Sequence, residues 1–108
     1  MVNNVPNLYQ SLPKNLPEEC IEVLLSQKNV RIERIISHGH HTPAGQWYDQ
    51  LENEWVIVLQ GGGVIEYENG EQVMLKTGDY LYLPVHLKHR VISTLEHEHT
   101  VWLAIFWN

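Results

Sequence analysis

Residues 54–61 read Glu54-Trp55-Val56-Ile57-Val58-Leu59-Gln60-Gly61, a β-branched run that begins on an acid and stops at the first of three glycines. Such a run suits a strand, and side-chain alternation then puts Glu54, Val56 and Val58 on one face. A carboxylate beside two valines has two readings. Facing water it is an ordinary edge glutamate; facing inward it needs an imidazole, a donor or a cation to offset its desolvation. Downstream, Val64–Glu68 meets Gln72–Leu75 across Asn69-Gly70, the strongest short hairpin signal. Gly78-Asp79 turns the chain into Tyr80–Leu83, Pro84 stops it, and His89–Ser93 follows. Val101–Trp107 closes with apolar residues on both faces, as a strand between two layers does.

Upstream, Ile21–Leu25 and Val30–Ile36 flank the polar Ser26–Asn29 and predict another hairpin. Pro6, Pro13 and Pro17 predict an arm before it, because proline removes a donor and restricts its neighbour. The count comes to about eight short strands and no long helix, which points to an all-β sandwich or small barrel whose interior can hold a pocket. Residues 1–29 are expected to form the arm and first strand, and residues 30–107 the barrel. Gly61-Gly62-Gly63 reads as a turn, since no lysine, serine or helix follows to make a phosphate loop.

The chain's 108 residues hold one domain and no second cofactor-binding unit. With 7 Lys and Arg against 13 Asp and Glu, the charge of −6 makes nucleic acid and anionic membrane poor partners. No apolar run approaches the roughly 20 residues of a spanning helix, and Met1-Val2-Asn3-Asn4 has no leader character. A single cysteine, Cys20, agrees with a reducing compartment, so the expectation is a cytoplasmic protein. Seven histidines are the chemical signal; His38, His40 and His41 cluster, and His86 and His89 form a second group.

Two segments resemble the motifs of the cupin family, whose fold is a double-stranded β-helix of jelly-roll type. Glu54, six residues and Gly61 match the end of the first motif; Gly78, Pro84 and His89 match the second. The resemblance covers about residues 30–107. It implies that Glu54 and His89 face one interior site, together with two first-motif positions that are histidines in typical members, and that the four hold a divalent metal such as Zn, Fe, Mn or Ni.

Here the first motif departs from the pattern. Read without a gap, the two histidine positions hold Tyr48 and Gln50; a phenol is a poor ligand, and an amide oxygen is weaker than imidazole for these metals. An alternative alignment uses His38 and His40 and turns residues 41–53 into an enlarged loop. The gap-free register is preferred, with Thr42–Gly45 as the turn before the motif strand. The candidate ligands are therefore Glu54, His89, Gln50 and His40, and the candidate pocket residues are Tyr48, Asp49 and His38. Trp47 and Trp55 either stack on a bound molecule or pack against protein.

Two functions remain open on the sequence. One is an enzyme binding a small polar molecule, with a metal opening oxygenase, isomerase or lyase chemistry, or with Glu54 and His89 exchanging protons without one. The other is a non-catalytic binding or sensing module that has lost part of its ligand set. Unpaired strand edges and exposed tryptophans predict a homodimer in either case.

Overall fold

A computed structural model describes residues 5–108. Eight strands follow in chain order: β1 (Cys20–Gln27), β2 (Val30–Ser37), β3 (Asn53–Gln60), β4 (Gly62–Tyr67), β5 (Gln72–Lys76), β6 (Tyr80–Leu83), β7 (His89–Thr94) and β8 (Thr100–Trp107). They form two antiparallel sheets, one of five strands in the order β1-β2-β8-β3-β6 and one of three in the order β5-β4-β7. The two sheets face each other as an all-β jelly roll. No described helix is long and apolar enough to cross a membrane.

Alternation sets what lies between the sheets. Along β3, Glu54, Val56 and Val58 point inward, and Val56 and Val58 join Ile65, Leu75, Leu83, Trp102, Ala104 and Phe106 in the core. β8 lies between β2 and β3, so its inward Trp102, Ala104 and Phe106 occupy the middle of the sandwich. Trp102 donates its indole N–H to the Ser37 hydroxyl at 3.2 Å, giving the buried ring a partner for its one polar atom. Across the sheet Leu103, Ile105 and Trp107 are only half covered, so the closing strand is not enclosed on both faces.

The glycine run divides differently from the sequence expectation. Gly61 alone turns the chain, at φ 85°, while Gly62 and Gly63 already pair with β5. A Cβ on Gly61 would stand 2.6 Å from the Thr100 hydroxyl and 2.8 Å from the His99 carbonyl, so both the conformation and the space require glycine.

The long connection between β2 and β3 runs beside β7. Thr42 donates its amide to the Val91 carbonyl and accepts from the Val91 amide on its hydroxyl; Tyr48 and His89 exchange two backbone bonds at 2.8 and 3.2 Å. Residues 42–50 therefore extend the three-stranded sheet, and they deliver Tyr48 and Gln50 to the open end of the sandwich.

Candidate active site

A cavity of about 190 Å³ opens between the sheets at that end. Its floor is apolar, made by Val56, Ile65, Leu83, Val91, Trp102 and Phe106. Around its upper part stand Glu54, His89, Gln50, Tyr48, Arg31, Glu33 and Glu19. The volume lies below the roughly 300–1,000 Å³ of pockets for drug-sized ligands, so the occupant is small.

Glu54 and His89 are buried, with 7% and 5% of their surface exposed. Glu54 stands at the start of β3 on the valine face, and His89 begins β7 immediately after the proline turn. The His89 Nδ1–H is satisfied by the Leu87 carbonyl at 2.9 Å, which leaves Nε2 bare and aimed at the Glu54 carboxyl, 3.9 Å away. Burial pushes the Glu54 carboxyl up to about 7; the Glu33 charge adds to the rise, and the Gln50 amide opposes it. Burial also holds the His89 imidazole below its ordinary value. Near neutral pH the pair therefore brings a bare imidazole nitrogen beside a carboxyl that burial helps to keep its proton.

The remaining candidates divide. Gln50 and Tyr48 line the cavity, and the Tyr48 ring packs 5.5 Å from His89. Asp49 turns to the surface and pairs with His86 at 2.7 Å. His86 adopts φ 62° and donates its amide to the Gln50 carbonyl, so this turn holds the Tyr48–Gln50 segment in place. His38 and His40 do not line the cavity. His40 accepts the His38 amide on Nδ1 and donates from Nε2 to the Leu16 carbonyl; His38 bonds the Glu96 carbonyl. Both nitrogens of His40 are thus engaged in fastening the arm, and the ligand alignment through His38 and His40 is not the one the geometry assembles.

Of the two readings for the tryptophans, packing against protein is the one the structure shows. Trp47 lies under the Arg90 guanidinium and Trp55 faces outward beside Tyr80, so neither stacks on a cavity ligand. The aromatic floor comes from Trp102 and Phe106 instead. Arg31, Glu33 and Glu19 escaped the sequence reading. A charged Arg31-x-Glu33 alternation suggests a solvent face, and only its register with Phe106 and Ala104 of β8 shows it to be the inner one.

The metal that the family resemblance implies can be tested against this donor set. One imidazole in the right tautomer and one carboxyl are present, with an amide and a phenol as the remaining neighbours. Among the described residues no three His, Cys, Asp or Glu side chains converge. Catalytic zinc sites use three strong protein ligands, and iron, manganese and nickel sites draw on similar sets. The residues present do not fit such a metal, and what they do offer is proton transfer.

The cupin domain profile matches residues 35–106. A protein of Ralstonia eutropha JMP134, provisionally named a mannose-6-phosphate isomerase, is 40% identical; the alignment covers 98% of this chain and 99% of that one, with a TM-score of 0.93. An RmlC-like cupin of Desulfovibrio desulfuricans shares the fold at 16% identity, covering 98% and 97% of the two chains with a TM-score of 0.75. No curated protein sequence matches the chain.

Proposed function

The chain belongs to the cupin domain family, and on that premise we propose that it is an enzyme isomerising a small hydroxylated carbonyl compound by proton transfer between Glu54 and His89. The observation that carries this reading is the pair itself: a bare His89 Nε2 beside a carboxyl poised near neutrality, 3.9 Å apart above an apolar floor. The relative's provisional name, a mannose-6-phosphate isomerase, supports isomerase chemistry.

In the first half, His89 Nε2 takes the proton from the carbon next to the carbonyl. The C–H electron pair forms the double bond of an enediol, and the Glu54 carboxylic acid gives its proton to the carbonyl oxygen. In the second half, the neighbouring hydroxyl returns a proton to the Glu54 carboxylate as its C=O forms, and the imidazolium protonates the former carbonyl carbon. Both side chains end as they began. Their spacing lets both reach neighbouring atoms of one substrate, and the half-exposed Tyr48 phenol stands at the mouth to orient a hydroxyl.

The test is deuterium incorporation from D₂O into mannose or fructose, with Glu54→Gln and His89→Ala checked for folding by circular dichroism. Each variant is expected to lose about 10²–10⁴-fold of the exchange rate. Exchange that persists unchanged in folded variants would overturn the assignment.

As part of the same reading we propose a homodimer. The outer face of the five-stranded sheet carries Trp55, Ile105, Trp107, Tyr80 and Tyr82 in adjacent rows, and an apolar face of this kind suits a second copy. We also place the protein in the cytoplasm, where its free Cys20 stays reduced.

A further inference from the structure

Three carboxyl groups and one guanidinium reach the cavity: Glu19, Glu33, Glu54 and Arg31. The guanidinium is already committed. Arg31 Nε donates to Glu33 at 2.7 Å, and its two terminal nitrogens donate to the two Glu52 oxygens at 3.0 and 2.9 Å, a bidentate geometry that fixes the fork. One positive charge is thus shared between two carboxylates. Among the described residues Glu19 accepts from the Ser37 hydroxyl, at 2.5 Å, a neutral partner that supplies no counter-charge.

Among the described residues no other lysine or arginine lines the cavity. Arg34 is held by Glu22 and two arm carbonyls, and Arg90 by Glu66. His89 is kept neutral by its buried setting. The usual uncharged anion site, a helix N-terminus, is lacking too, because the described residues form no helix.

Resting on the isomerase reading for the hydroxylated character of the ligand, we infer that the cavity takes an uncharged or cationic polyhydroxy compound and excludes phosphate esters. A phosphate monoester brings a charge of about −1.5 to −2 at pH 7 and three acceptor oxygens, which here would meet carboxylates and a guanidinium without a free edge. Hydroxyl groups suit the same lining, since each can donate to Glu19, Glu33 or Glu54 and needs no counter-charge. The substrate class of this chain therefore differs from the one its relative's name implies.

Three polyols without a reacting carbonyl separate this inference from the isomerase reading: mannitol, its terminal phosphate ester and its terminal amine. Their dissociation constants for the full chain can be measured by calorimetry or by NMR titration. Mannitol and the amine are expected to bind at least about tenfold more tightly than the ester. In Glu19→Gln that gap narrows, as it does in high salt, because the repulsion is electrostatic. An ester that binds as tightly as mannitol overturns the inference while leaving the proton-transfer pair intact. Failure of mannitol and the amine to bind at millimolar concentration overturns it as well.

Discussion

His89 Nε2 points at Glu54 Oε1 across 3.9 Å while the other nitrogen of the same ring holds the Leu87 carbonyl at 2.9 Å. That second bond fixes the tautomer, so the nitrogen facing the cavity has no proton to give and can only accept one. Glu54 is thereby left as the proton donor of the pair. The two titrate in the order this division requires, since burial raises the carboxyl to about 7 and lowers the imidazole.

Activity should therefore fall on both sides of a maximum. Above about pH 7 the Glu54 carboxyl loses the proton it must donate, and in acid the His89 nitrogen is already protonated. The profile of kcat/KM for the free enzyme checks this. In Glu54→Gln the alkaline limb is expected to vanish along with most of the rate, whereas an alkaline limb that survives would assign the acid to another group.

The same carboxyl makes stability depend on pH. Its folded value lies above the ordinary 4.5, so between about 4.5 and 7 the folded protein binds more protons than the unfolded chain, and stability falls as pH rises through that window. The loss amounts to about 3 kcal/mol. His89 acts with the opposite sign, favouring the fold as pH rises towards 6.5 from below. Denaturant melts at several pH values should show Glu54→Gln losing the decline that the wild-type protein shows.

Chelation should leave the protein's function unchanged. The donor set around Glu54 and His89 falls short of three strong ligands, so dialysis against EDTA is expected to alter neither polyol affinity nor exchange rate. Elemental analysis of untagged protein gives the independent readout. Stoichiometric metal that is lost in both Glu54→Gln and His89→Ala would reinstate a metal centre. His40→Ala should speed proteolysis before Cys20, because it releases the bond to the Leu16 carbonyl.

Gly61→Ala should cost more than an ordinary turn substitution, about 2 kcal/mol or above. The added methyl meets backbone atoms of His99 and Thr100 at 2.8 Å, in a left-handed conformation that alanine disfavours. Gly70→Ala has open space around it and should lose only the conformational part, at φ 93°. Thermal melts of the two variants measure the difference directly.

Tyr82→Glu tests the dimer without touching the core. Tyr82 is 54% exposed and stacks beside Trp107 on the outer face. Light scattering should give a dimer for the wild-type chain and a monomer for the variant; a wild-type monomer at working concentration would rule the interface out.

Local chemistry in the chain determined the strands. The valine–isoleucine runs, the Asn69-Gly70 turn and the stop at Pro84 act over a few residues, so eight strands and their hairpins were legible without tertiary information. Alternation put Glu54 on the face of Val56 and Val58 and left open whether that face looked to water or inward, which the packed sheets settled; the spacing of Gly78, Pro84 and His89 placed the histidine at a strand start. Only the tertiary structure decided what surrounds that pair. Whether residues 38–50 bring His40 or Gln50 to the cavity depends on backbone bonds to Val91 and His89, partners more than forty residues away in some cases, which no local pattern encodes. Likewise, Arg31 and Glu33 alternate as a solvent face would. They become cavity residues because β2 pairs with β8 in the register that sets Arg31 opposite Phe106, and register between distant strands is a property of the packed sheet as a whole.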